Sequence, residues 1–148
     1  MITVYSNQAS ANCFKVRLLL HQLEIPFRVV EIDILKERPV DFLAKNPGGK
    51  VPFVELEDGT GLTESDAMLY YFAQGSALWP SDRLERTRVL QWMFFEQNEH
   101  EPNIAVARFW CGILGAEKEY EAALVLLEEH PLQDACPLQP IRRPQGRA

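Results

Sequence analysis

Cysteine is scarce in this sequence, and its scarcity excludes a good deal. The 148 residues hold three cysteines, Cys13, Cys111 and Cys136. They are odd in number and far apart, which fits neither a disulfide framework nor a zinc site. The run Glu96-Gln97-Asn98-Glu99-His100-Glu101 lacks a second histidine at metal spacing and reads as a solvated face, so no metal is expected. Positive charge is also short: 15 Lys and Arg stand against 21 Asp and Glu, for a net charge of −6. The only basic cluster is Arg142, Arg143 and Arg147 at the Pro-rich end, which argues against a nucleic-acid partner. No apolar run approaches the roughly 18 residues a membrane span requires. The first residues carry no basic n-region and too short an apolar stretch for a signal peptide. These gaps lead us to expect a cytoplasmic globular protein with free thiols and no membrane partner.

What is present is a clear alternation of element types. Ile2 to Tyr5 is a short β-rich run, broken by Ser6, Asn7, Gln8 and Ser10. From Asn12 to Glu24 the apolar residues Cys13, Val16, Leu19, Leu20 and Leu23 recur at helical spacing, and Pro26 is expected to stop the helix. Phe27 to Ile34 alternates toward a second strand. Pro39 opens a short helix, and Asn46-Pro47-Gly48-Gly49 is a strong turn signal. Val51 to Leu56 reads as a third strand, Asp58-Gly59 as a tight turn, and Leu62-Thr63 as a fourth strand. Thr63 or Ser65 can cap a helix from about Asp66 to Ala73. The order is βαβ-α-ββα, with the first two strands parallel through a crossover helix and the last two in a hairpin.

The pattern then changes. Residues 1–75 form the α/β domain in this reading, and 76–82 form a linker. Arg83 to Trp110 predicts a long, mostly buried helix kinked near Pro102, opening a partial all-α domain over 83–130. Glu117 to Glu129 predicts a further helix. Residues 131–148 are Pro-rich and aperiodic, and are expected to be disordered.

Ser10-Ala11-Asn12-Cys13 has the spacing of a dithiol redox motif with serine in the first place. The strand-to-helix junction sets Ser10 at a helix N-terminus, where bare N–H groups and the helix dipole favour anions, including a thiolate. Serine cannot itself be the thiolate. It can donate a hydrogen bond to one, so the reactive sulfur is expected to arrive on a ligand, with Asn12 as a second donor. The plainer reading makes Ser10 only a helix cap and Cys13 a buried small hydrophobe. Val51-Pro52 opens a strand, an awkward place for proline unless the bond is cis or that N–H side is free. A cis bond would leave the Val51 N–H and C=O open to an extended peptide-like ligand. Glu64-Ser65-Asp66 opens a helix whose hydroxyl and N–H groups suit a carboxylate. The plainer readings are a strand-edge proline and a cap. Together the three places would hold a small thiol peptide carrying a carboxylate.

The stretches "YSNQASANCFKVRLLL", "FLAKNPGGKVPFVELEDGTGLTESDAMLYYFAQ" and "RTRVLQWMFFEQ" resemble the glutathione transferase family over about residues 1 to 110, and most of all its bacterial members that use serine or asparagine. The resemblance implies a thioredoxin-like N-terminal domain followed by an incomplete all-α C-terminal domain. It implies glutathione as co-substrate, a small electrophile as second substrate, and a homodimer. Ser10 and Asn12 match the residues that hold the thiolate. Val51, before a cis Pro52, matches the residue that pairs with the cysteinyl backbone. Glu64 and Ser65 match those at the γ-glutamyl end, with Lys50 beside a carboxylate. Phe94, His100 and Arg108 are candidates for the electrophile pocket, although core packing is the commoner reason for such residues. Two other readings stand beside the transferase. One is a non-catalytic thioredoxin-fold binding module, favoured by the short helical region. The other is a monothiol oxidoreductase using Cys13.

Overall fold

A computed structural model describes residues 1–116. The expected helix over 117–129 and the Pro-rich segment 131–148 lie outside the described residues. The chain divides into two compact units, Met1–Trp79 and Pro80 onward.

In the first unit, strand β1 (Ile2–Ser6) is followed by helix α1 (Ala11–Gln22), strand β2 (Phe27–Glu31) and helix α2 (Val40–Lys45). Strands β3 (Phe53–Glu55) and β4 (Gly61–Leu62) and helix α3 (Ser65–Ala73) complete it. The sheet order is β2-β1-β3-β4. Strand β1 runs parallel to β2, with Val4 opposite Val29, and antiparallel to β3, with Val4 opposite Val54. β3 and β4 form the hairpin. This is the βαβ-α-ββα arrangement of a thioredoxin-like domain.

Strand alternation explains the layers. Val4 points to one face, where it packs with Val16 and Leu20 of α1, Val54 of β3 and Met68 of α3. Its neighbour Tyr5 points to the other, where it meets Ile32, Phe42 of α2 and Phe53. The rings of Tyr5, Phe42 and Phe53 lie 5.3–6.1 Å apart, centroid to centroid. Because β1 is central and covered on both faces, Thr3 to Ser6 are all buried. Each large apolar side chain buried this way contributes about 1.5–3 kcal/mol. Helices α1 and α3 therefore share one face of the sheet, and their N-termini point toward the same end of it.

Several boundaries differ from expectation. Helix α1 ends at Gln22, before Pro26 is reached, because Glu24 adopts φ 56°. The Glu24 N–H then bonds to His21 O and the Ile25 N–H to Leu20 O, the paired bonds of a Schellman stop. The proline only follows it. Strand β2 ends at Glu31, short of Ile34, although the Ile32 N–H still reaches Ser6 O at 2.7 Å. Strand β4 begins at Gly61, one residue earlier than expected.

The second unit holds helix α4 (Arg83–Phe95), whose N-cap Asp82 accepts the N–H groups of Leu84 and Glu85. The expected long helix to Trp110, kinked near Pro102, is not formed as one α-helix. From Glu96 to Ala105, and again from Arg108 to Ile113, the turns widen to a π-helix. The Val106 N–H bonds to Glu101 O, and the Leu114 N–H bonds to Phe109 O. In the first of these segments the local sequence favours the widening. Asn98 Nδ2 donates to Phe94 O at 2.8 Å and Asn103 Nδ2 to Glu99 O at 2.6 Å, occupying the carbonyls an α-helix would use. Pro102 between them has no N–H to give. The expectation of burial is also corrected: no residue of α4 or of either π-helical segment is buried, and Phe94 is 65% exposed.

Candidate functional site

The loop between β1 and α1 is held from several sides. Asn7 Nδ2 donates to Ile32 O at 3.0 Å, and Asn7 Oδ1 accepts the Ala9 N–H at 3.0 Å. The Gln8 N–H reaches Glu31 Oε1 at 2.9 Å. Arg17 of α1 donates to the Ser6 hydroxyl at the buried end of β1. This loop delivers Ser10 as the N-cap of α1, where its Oγ accepts the Cys13 N–H at 3.2 Å. The plain capping reading is thus realised. It does not exhaust the hydroxyl, because accepting from Cys13 leaves the O–H proton available as a donor. Cys13 is fully buried and its Sγ accepts the Asn7 N–H at 3.3 Å. Such a sulfur has no surface from which to react, which weighs against the Cys13 oxidoreductase reading.

Asn12 and Ser65 meet across the two helices. Ser65 Oγ donates to Asn12 Oδ1 at 3.2 Å. Ser65, the first residue of α3, is only 6% exposed. The two hydrophilic side chains therefore tie the entrance of α1 to the entrance of α3. From one turn further along α1, Lys15 Nζ pairs with Oδ1 of Asp66, the residue after Ser65, at 2.7 Å. Each helix carries about half a positive charge at its start, and first-turn N–H groups have no intrahelical partner. Two such ends side by side form one anion-favouring region.

Glu64, the N-cap of α3, has φ 63° and ψ 114° and makes no side-chain cap bond. Positive φ is uncommon for a non-glycine residue and marks a conformation the surroundings impose. The exposed Glu64 side chain is left clear of its own helix end.

The Val51-Pro52 bond is cis, and Pro52 is buried. Among the described residues, no backbone hydrogen bond involves Val51. The preceding turn is built from residues whose role the sequence did not disclose. Buried Asn46 donates through Nδ2 to Lys50 O at 2.7 Å, and its own carbonyl accepts the Gly49 N–H. Arg38 Nε donates to Gly49 O at 2.9 Å, while its Nη1 holds Asp33 O and Lys36 O. Lys50 itself is exposed. Asn46 had registered only as a turn former, and Asn7 only as a strand breaker. Neither carries a sequence signal for its side-chain bond, which for Asn46 closes its own turn and for Asn7 reaches across to Ile32.

Phe94 lies in α4, His100 in the first π-helical segment and Arg108 at the start of the second. Among the described residues no group of three potential metal ligands occurs. No helix among them is long and apolar enough to cross a membrane.

Comparison with known proteins bears on the family of the chain. A family model described as glutathione S-transferase, N-terminal domain, matches residues 9–74. The glutathione S-transferase of Pseudomonas fluorescens Pf-5 is 45% identical, with a TM-score of 0.82 over 89% of this chain and 67% of that one. A possible glutathione S-transferase from Rhodopseudomonas palustris is 44% identical, with a TM-score of 0.75 over 87% of this chain and 70% of that one. Among curated proteins, Protein URE2 of Meyerozyma guilliermondii is 30% identical over 116 residues, covering 71% of this chain. The chain spans only 38% of that relative's length.

Proposed function

Because the chain belongs to the glutathione S-transferase family, we propose that it binds glutathione at the joined N-termini of α1 and α3 and delivers its thiolate to a small electrophile. The observation that carries this reading is the Ser65–Asn12 hydrogen bond, which joins the starts of the two helices; the cis Val51-Pro52 bond of the same unit is consistent with it.

Each residue then has a part. The Ser10 hydroxyl, already accepting from Cys13, donates its proton to the ligand's sulfur. With the dipole of α1 it favours the thiolate over the thiol. Asn12 lines the same end. The Val51 N–H and C=O pair with the cysteinyl backbone of glutathione in the manner of an added strand. Ser65, with Glu64, takes the γ-glutamyl end, and Lys50 meets a carboxylate. The thiol gives its proton to solvent, and the sulfur lone pair forms the new bond to the electrophilic atom. The leaving group, or the π electrons of the acceptor, carries away the displaced pair. Stabilising the sulfur anion in this way raises the fraction of bound thiol that is ionised near neutral pH, and the ionised form is the one that attacks. On this reading the partners are glutathione, a small electrophile and a second copy of the chain.

Calorimetry with glutathione tests the site. Wild type should bind in the micromolar-to-millimolar range. Ser65→Ala should weaken binding by about tenfold or more, the usual worth of a hydrogen bond to a charged group. Ser10→Ala should leave affinity nearly intact but lower kcat near neutral pH and move the pH profile upward. A folded wild type that binds no glutathione would sink the reading. Binding without turnover would leave the site standing and favour a binding module over an enzyme.

A further inference from the structure

We propose that Lys15 is a positioning residue for glutathione: its ammonium offsets the Asp66 carboxylate and keeps the entrance of α3 attractive to the ligand's own carboxylate. This rests on the reading that the site holds glutathione.

Asp66 is an unexpected neighbour for an anion site. It follows Ser65 directly and lies in the first turn of α3. A carboxylate there is good for the helix, since it complements the positive end of the dipole. For the same reason it is bad for a second anion. A full negative charge outweighs the half charge of the helix end, and like charges brought together in a partly desolvated site repel strongly. Glutathione must bring a carboxylate to this helix end if Ser65 is to hold it.

Lys15 removes the conflict. It stands on α1, yet its Nζ lies 2.7 Å from Asp66 Oδ1. The two side chains are only 19% and 18% exposed. Other ion pairs of this unit are more open, at 59% and 74% for the N-terminus with Glu57 and 42% and 21% for Lys45 with Glu55. A pair this sheltered is screened little by salt. The Lys15 ammonium offsets the Asp66 charge across 2.7 Å, so the helix dipole and the Ser65 hydroxyl are left to attract the ligand. The role is carried by charge, and this separates it from a mere bolt between α1 and α3.

Glutathione affinity and steady-state kinetics decide the matter for four proteins: wild type, Lys15→Met, Asp66→Asn and the double variant. Lys15→Met should weaken glutathione binding by about tenfold and raise KM for glutathione, with kcat at saturation kept within about twofold. Asp66→Asn should bind at least as well as wild type, and the double variant should return to within about twofold of it. Glutathione with both carboxylates esterified should not distinguish Lys15→Met from wild type. If the pair only bolts the helices, Asp66→Asn weakens binding as Lys15→Met does, and the proposal is overturned. Should Lys15→Met fail to fold, Asp66→Asn still decides by itself. A wild type that binds the diester but shows no preference for free glutathione also overturns it. A folded wild type that binds neither form overturns the glutathione reading itself, an outcome plainly different from the others.

Discussion

Glu24 shows how much a single backbone conformation can decide. It sits at φ 56°, where a β-carbon is crowded, yet it terminates α1 with the paired bonds of a Schellman stop. Glycine suits this position better than glutamate, because among the described residues no hydrogen bond or ion pair of the exposed Glu24 side chain offsets the crowding. Glu24→Gly should therefore stabilise the protein by about 0.5–1 kcal/mol, read as a higher urea midpoint with an unchanged slope. A loss of stability would mean that the Glu24 side chain makes a contribution its geometry does not suggest. Gly61 is the opposite case. A β-carbon there would lie 2.6 Å from the Phe53 ring, so the aromatic ring of β3 claims the space above β4. That is why β4 starts on a glycine, and why a reading by β-propensity placed the strand one residue late. At the site, Ser10 was legible because its place before the helix is a matter of local spacing. Asn46 was not, since its partner Lys50 O is reached by side-chain direction rather than by sequence pattern.

At the scale of elements, the strands and helices of the first unit were readable from period and punctuation. Their apolar positions face a core, so periodicity and burial agree. In the second unit they part company. Arg83 to Trp110 was expected to be a mostly buried helix, yet its aromatics Trp92, Phe94, Phe95, Phe109 and Trp110 are none of them buried. Composition reports what a face could bury, whereas burial depends on what packs against it. Capping remains a local matter. Asp82 Oδ1 accepts the Leu84 N–H at 2.9 Å and the Glu85 N–H at 3.0 Å. Asp82→Ala should cost about 1 kcal/mol and fray the first turn of α4, seen as a lower melting temperature and faster amide exchange at Leu84 and Glu85. An unchanged melting temperature would show that α4 does not unfold with the cooperative unit.

For the molecule as a whole, the ion pair between α2 and β3 and two loop aspartates set the response to pH. Lys45 Nζ contacts both oxygens of Glu55 at 2.7 and 2.8 Å, and the Tyr5 hydroxyl donates to Glu55 at 3.0 Å. The Lys45 ammonium first, then the Tyr5 hydroxyl, hold the Glu55 carboxyl below its ordinary 4.5. The bond to Glu55 in turn raises Lys45 above its ordinary 10.5. Asp33 and Asp58 are held below 3.8, chiefly by the N–H groups of Leu35 and Thr60. A lowered carboxyl stabilises the fold above its unfolded value, and that contribution is lost as pH falls through the folded one. A raised lysine stabilises below its unfolded value and loses its effect as pH rises through the folded one. The urea midpoint should therefore be flat from about pH 5 to 9, fall in acid below 4.5, and fall again above 10.5. Lys45→Met should flatten both limbs, and added salt should do so in part because these groups are exposed. A midpoint at neutral pH that is the same in Lys45→Met and wild type would show that the pair contributes nothing to the fold.

By itself, the sequence determined the element order, the parallel-then-hairpin sheet, the serine at the head of α1 and the proline at the head of β3. All of these follow from local spacing, from turn chemistry, or from the handedness of a crossover connection. Only the tertiary structure decided which of those local features face one another. It brought Ser65 to Asn12 and Lys15 to Asp66, because two helices laid on the same face of one sheet begin at the same end. It also decided that Cys13 is enclosed while Ser10 is not, since one turn of helix separates the buried face from the rim. Contacts between residues far apart in the chain depend on the packing of whole elements, and no short stretch of sequence contains that information.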